Sequence, residues 1–144
     1  MELEEFFRER KGLLPNLKIS SIKLRKPVYF TADTMVKDVL KTVRTNVYRT
    51  YPIVNDKNQI LGIIDIESIF TIEKEKWDTS ISCLELKKPL LATREQTLIE
   101  VVEKMLETNE DHVFIVNNME ERVIEGVITP SDIIKIYVEK MVNI

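Results

Sequence analysis

The second half of this chain repeats the first, and that self-similarity fixes the architecture before any propensity argument does. A step of 62 positions pairs Ile19 with Ile81, Ser20 with Ser82, Leu24 with Leu86, Lys26 with Lys88 and Pro27 with Pro89. The same step pairs Thr31 with Thr93, Val39 with Val101, and Ile53-Val54-Asn55 with Ile115-Val116-Asn117. An insertion near Met119-Glu120 lengthens the step to 64, which pairs Ile60 with Ile124, Gly62 with Gly126, Ile64 with Ile128, Ile69 with Ile133 and Ile72 with Ile136. One insertion in a turn, with register kept on both sides, is the mark of a duplicated supersecondary unit. The copies differ at their ends, because only the second reads Gly126-Val127-Ile128-Thr129-Pro130-Ser131-Asp132.

Each copy spells strand, helix, strand, strand, helix. In the first, Pro27–Thr31 reads as a short strand, and Asp33 or Thr34 is placed to cap a helix carrying Val36, Val39, Leu40 and Val43 inward. Tyr51–Val54 and Ile60–Ile64 form a hairpin about the turn residues Asn55-Asp56-Lys57-Asn58, and Asp65 opens a second helix containing Ile69 and Ile72. In the second copy Leu90–Ala92, a helix over 97–107, Val113–Val116, Val123–Ile128 and a helix from Thr129 follow in the same order. The fold expected is therefore α+β with α/β-like units: two β-α-β-β-α repeats, residues 19–76 and 77–144. A leader over 1–18 has Leu3, Phe6, Phe7 and Arg10 at helical spacing and a stop at Gly12. A repeat of about 60 residues buries only ~60% of its unfolded surface alone, so the halves are expected to share a core.

Composition narrows the function classes. No apolar run approaches the ~20 residues of a membrane span, and the acidic start Met1-Glu2-Leu3-Glu4-Glu5 is unlike a signal peptide, so a cytoplasmic location is expected. The single cysteine, Cys83, excludes an internal disulfide, and one histidine, His112, cannot build a His-based metal site. Net charge is −3 with Lys and Arg interspersed among Asp and Glu, which supplies no basic face for nucleic acid. A nucleophile with its base, a metal cluster or a cleft of paired carboxylates is missing from the pattern, so the expectation is a protein that is not an enzyme.

The ending of the second copy admits two readings. Thr129 suits an N-cap, Pro130 the first helical position and Asp132 the third position of a capping box, which is structure alone. The first copy reads Gly62-Ile63-Ile64-Asp65-Ile66-Glu67-Ser68, where Asp65 keeps the cap but Ser68 loses the carboxylate. A hydroxyl and a carboxylate on adjacent edges of a helix N-terminus suit a phosphorylated ribose: the carboxylate accepts from both vicinal hydroxyls, and the amides face phosphate.

The duplicated unit, with hairpins reading Tyr51-Pro52-Ile53-Val54-Asn55 to Gly62-Ile63-Ile64 and Val113-Phe114-Ile115-Val116-Asn117 to Gly126-Val127-Ile128-Thr129-Pro130-Ser131-Asp132, resembles a tandem CBS-domain pair, the Bateman module. The resemblance spans about residues 19–140. It implies two units packed about a pseudo-twofold axis and a regulatory ligand in a cleft: AMP, ADP or ATP, or alternatively S-adenosylmethionine. Carried over to this sequence, it implies a nucleotide site of Lys26, Val28, Tyr48, Arg49, Thr50, Pro52, Val127, Thr129 and Asp132. A second, weaker cleft would use Asp65, Leu90, His112 and Phe114, where uncompensated carboxylates oppose a phosphate. The resemblance further implies a homodimer and a separate effector protein. The competing expectation is a ligand-free dimerisation or scaffold module in which Thr129 and Asp132 are only a cap.

Overall fold

The computed structural model describes residues 5, 17–45 and 48–142; the expected leader helix and the side chain of Met141 lie outside the described residues. The elements in chain order are β1 (Phe30–Thr31), α1 (Val36–Thr45), β2 (Thr50–Val54), β3 (Ile60–Asp65), α2 (Ile66–Phe70), β4 (Leu90–Thr93), α3 (Leu98–Thr108), β5 (Val113–Val116), β6 (Ile124–Ile128) and α4 (Pro130–Val142). The strands form two three-stranded sheets, ordered β1-β2-β3 and β4-β5-β6. In the first, β1 runs parallel to β2 and β2 antiparallel to β3; in the second, β4 runs parallel to β5. The expected α+β fold with duplicated units is thus the one observed.

Every residue of the middle strands, Thr50–Val54 and Val113–Val116, is buried. A strand covered on both faces has no use for alternation, which is why these segments read as continuous apolar runs. Tyr51 is fully buried and its hydroxyl accepts the Tyr48 amide at 2.8 Å, so the only polar atom of its side chain is satisfied. Burial raises its pKa.

The chain divides into two compact units whose limits differ from the sequence repeats. One comprises the described residues of Pro27–Pro89 with Glu121–Ile124; the other comprises the described residues of Met1–Lys26 with Leu90–Glu120 and Glu125–Ile144. The segment opening each repeat therefore serves as an arm in the unit built by the other repeat. The bonding is the same in both. In one unit Ile19 N–H donates to Gln96 O, Ser20 N–H to Arg94 O and Leu98 N–H to Leu17 O. In the other Ile81 N–H donates to Thr34 O, Ser82 N–H to Ala32 O and Val36 N–H to Thr79 O. Ile19 joins the apolar cluster of Leu98, Val101, Met105, Ile115 and Ile133, and Ile81 joins that of Val36, Val39, Tyr51, Ile53 and Ile69. Among the described residues each of these two clusters thus includes an apolar residue from the other repeat.

Several local expectations need correction. Only Phe30 and Thr31 of the segment 27–31 pair with β2. Asp33 and Thr34 do not begin α1. They fold into a turn with Thr31, whose hydroxyl donates to Asp33 at 2.7 Å, and the helix starts at Val36. Its counterpart α3 is properly capped: Thr97 accepts from the Glu100 amide while Glu100 accepts from that of Thr97. The position equivalent to Thr97 is Met35, whose side chain has no oxygen to accept an amide. Ile72 falls beyond the end of α2, although it packs on the same core.

Candidate functional site

Strand β6 carries Val127 and Ile128 into the interior and ends at Thr129, which is 9% exposed. Pro130 is the first helical residue, where its missing N–H costs nothing. One turn in, Asp132 reaches back: its Oδ2 accepts from the Thr129 amide and from the Thr129 hydroxyl, both at 2.8 Å. The hydroxyl therefore acts as a donor to the carboxylate, and one half of a capping box is in place. A third partner comes from the arm. Arg25 Nε lies 3.4 Å from Oδ1 and its Nη2 lies 3.2 Å from Oδ2.

Arg25 is held at its root by the arm. The Val127 amide donates to the Arg25 carbonyl at 3.0 Å. Next to that bridge, a Cβ on Gly126 would stand 2.7 Å from the Leu24 Cβ, closer than real atoms approach. The glycine of the repeated Gly-x-Ile sequence is thus there to let the arm lie against the strand. Partial burial alone would raise the Asp132 pKa. The Arg25 guanidinium and the Thr129 hydroxyl and amide outweigh it and hold the carboxyl below its ordinary range.

Beside this constellation runs an open groove of about 660 Å³, bounded by Ser21–Arg25 on one side and by Val127, Ile128 and α4 on the other. Its size falls within the ~300–1,000 Å³ typical of small-molecule sites. Ile22, Leu24 and Ile136 give it apolar surface, while Lys23, Arg25, Lys135 and Lys140 face it against Asp132 and Glu139. Four cations against two carboxylates make the groove basic in a chain whose net charge is −3. Such a lining attracts an anion.

The equivalent place in the other unit is arranged differently. Asp65 is the N-cap of α2 but makes no side-chain cap hydrogen bond, so the expectation that it caps the helix is not met. Its carboxylate is taken by the Lys87 ammonium and by the Thr50 hydroxyl, the latter at 3.3 Å. Lys87 stands where Arg25 does, one step of 62 later, and exchanges two backbone hydrogen bonds with Ile63, where the Arg25 carbonyl accepts one from Val127. Gly62 again makes room, since a Cβ there would lie 2.7 Å from Leu86 Cβ and 3.1 Å from the Lys87 carbonyl.

A profile for the CBS domain matches residues 19–75 and again 81–139. The chain belongs to the CBS-domain family. Among curated proteins it is 25% identical over 126 residues to the uncharacterized protein MJ0188 of Methanocaldococcus jannaschii, covering 87% of this chain and 46% of that one. The chain thus spans about half the length of that relative. Among solved structures it resembles the CBS domain of a bacterial CNNM/CorC family Mg2+ transporter in complex with ATP, with TM-score 0.75 and 15% identity over 95% of this chain and 98% of the other. It also resembles the CBS domains of a transcriptional regulator from Streptococcus pneumoniae, with TM-score 0.70 and 18% identity over 83% and 98%. At such identities the likeness is one of fold.

Within this CBS pair, Lys26, Val127, Thr129 and Asp132 fall in one compact unit, and Val28, Tyr48, Arg49, Thr50 and Pro52 in the other. Thr50 and Pro52 are buried in β2, whereas Tyr48 is 38% exposed with its ring set edge-on to Tyr51. Arg49 is exposed, and its carbonyl accepts the Ile66 amide at 2.9 Å. Of the weaker set, Leu90, His112 and Phe114 share a unit and Asp65 lies in the other. Phe114 is buried, and the half-buried His112 stacks on it with Nδ1 2.8 Å from Asp111. The residue that sequence reasoning missed is Arg25. Its signal was present, because the step of 62 places a cation at both Arg25 and Lys87.

Proposed function

We propose that this CBS pair is a regulatory module that binds an adenosine-containing ligand of the AMP, ADP or ATP kind in the groove beside Thr129 and Asp132. The observation that carries this reading is a ribose-competent carboxylate at a helix N-terminus, set in a basic groove of small-molecule size. Asp132 accepts from the ribose hydroxyls, Ile22, Leu24 and Ile136 provide apolar surface for the base, and the groove's cations meet the phosphates. The bacterial transporter domain of the same fold was determined with ATP, which fits this reading. The module is non-catalytic and acts from the cytoplasm as a homodimer, passing a ligand-induced population shift to a separate effector. Among the described residues no helix is long and apolar enough to cross a membrane.

Thermal unfolding with AMP, ADP, ATP and S-adenosylmethionine tests the proposal. A ligand at 100 times its dissociation constant adds about 2.7 kcal/mol, which raises the midpoint by several degrees. If none moves the transition, the sensor reading fails. A shift with S-adenosylmethionine alone would reassign the ligand. One observation favours the ligand-free scaffold reading: Thr129 and Arg25 already engage both carboxylate oxygens of Asp132. An unmoved transition, with a dimer present in sedimentation, would establish that reading instead.

A further inference from the structure

The lysines of the groove are spread along its length, and every residue lining it belongs to one compact unit. On α4, Asp132, Lys135, Ile136, Glu139 and Lys140 recur at the spacing of one helix face. At a rise of about 1.5 Å per residue, Lys135 lies nearly one turn beyond Asp132, and Lys140 roughly 12 Å beyond it. Helical side chains lean toward the N-terminus, which carries both ammonium groups back toward Asp132. The third lysine comes from the arm. Arg25 bridges Val127 in the antiparallel sense, so from Arg25 to Lys23 the arm runs toward the end of β6, where α4 begins.

Lys23, Lys135 and Lys140 are exposed, and among the described residues none of them forms an ion pair. A lysine ammonium is a compact charge on a flexible stem, suited to following a mobile chain of anions. A single phosphate is too short to lie against lysines spread over two helical turns, whereas a chain of phosphates spans them. Resting on the nucleotide-binding reading above, we propose that Lys23, Lys135 and Lys140 form a subsite for a chain of phosphates. The groove then prefers ATP to ADP and ADP to AMP, with the ribose at Asp132 and the phosphates running along α4. Glu139 stands among these lysines, exposed, and repels the chain. Because the contacts are exposed, salt screens them.

Isothermal titration of the full chain with AMP, ADP, ATP and inorganic tripolyphosphate tests this at about 0.05 M and about 0.5 M salt. At the lower salt the wild type is expected to bind ATP at least about tenfold tighter than AMP, with ADP between them. The ratio should shrink at the higher salt. Lys135→Gln and Lys140→Gln should each cut the ATP-to-AMP ratio roughly threefold, and Glu139→Gln should widen it. Lys23→Gln, on the arm, carries the same test if a helix variant does not fold by circular dichroism. A wild type that binds AMP as tightly as ATP overturns the subsite and leaves the nucleotide reading standing. A ratio that survives the lysine substitutions does the same. Tripolyphosphate is expected to bind more weakly than ATP and to lose affinity in the lysine variants. If it binds as tightly as ATP and depends on those lysines, the subsite stands and the nucleotide reading fails. No binding by any of these compounds sinks both.

Discussion

At the start of α2 the carboxylate is the cap residue, Asp65, and it turns away from the helix to Lys87 and Thr50. At the start of α4 the carboxylate stands three residues further in, at Asp132, and turns back to the Thr129 amide. Both meet a cation from an arm, and both arms cross beside a glycine. The difference is where the carboxylate sits relative to the helix axis. Placed at the cap, it bonds to Thr50 on the paired strand and to Lys87 on the arm, both within its own unit. Placed at the third helical position, it faces both the first turn and the groove. The helices differ too, since α2 has 5 residues and α4 has 13. Two copies of one unit have thus diverged into an end whose carboxylate is bonded to a strand and an arm and an end whose carboxylate lines an open groove.

The largest expected effect tests what the units have in common. Gly62→Ala and Gly126→Ala each drive a Cβ against the arm, and such overpacking costs roughly 1–3 kcal/mol. Denaturant midpoints should fall for both, and more for Gly62→Ala, which also meets the Lys87 carbonyl; unchanged midpoints would show that the arms lie less close. Capping comes next. Thr97→Ala should cost ~1 kcal/mol by removing the box at α3, while Met35→Ala removes no cap hydrogen bond. Equal capping losses in the two variants would break that contrast.

Acid titration sharpens the comparison of the two carboxylates. Because the native Asp132 pKa is depressed, the unfolded chain binds the proton more readily, and the group's contribution to stability is complete above the ordinary carboxylate range. It is lost as pH falls through the depressed native value. Asp132→Asn should therefore flatten the acid limb of the stability curve, measured by urea unfolding from pH 6 to pH 2. A limb identical to wild type would mean that the Arg25 and Thr129 contacts do not persist in solution. The smallest effect concerns the hairpin turns. Asn58 and Arg122, one step of 64 apart, have φ 60° and 58°. Asn tolerates the left-handed region better than Arg, so Arg122→Asn should gain a few tenths of a kcal/mol, roughly 1 °C in the melting midpoint.

Much of this was legible in the sequence because duplication supplies its own control. Residues that recur at fixed steps, such as Ile19 and Ile81 or Gly62 and Gly126, are under the same demand twice, so element order and strand positions followed directly. The reason for the demand was not legible. Nothing local says that Ile19 is needed by α3, or that Gly126 is empty for the sake of Leu24, because those contacts join residues far apart in the chain. The residues of the proposed nucleotide site divided in the same way. Thr129 and Asp132 are local to one helix start and could be read as a pair. Arg25 joins them only through the arm, so its place beside Asp132 was hidden although its charge recurs.

The arms also set an order of assembly during synthesis. The arm Ile81–Pro89 lies against β3 and α1, which have already left the ribosome when it appears, so that unit's arm can dock at once. The arm Leu17–Lys26 is made early and must wait for partners made late, since Arg25 and Asp132 are separated by 107 positions. At about 5–20 residues per second that is a delay of roughly 5–20 s. Through that interval Ile19 has no core to enter, and the unit bearing the groove is the last to close.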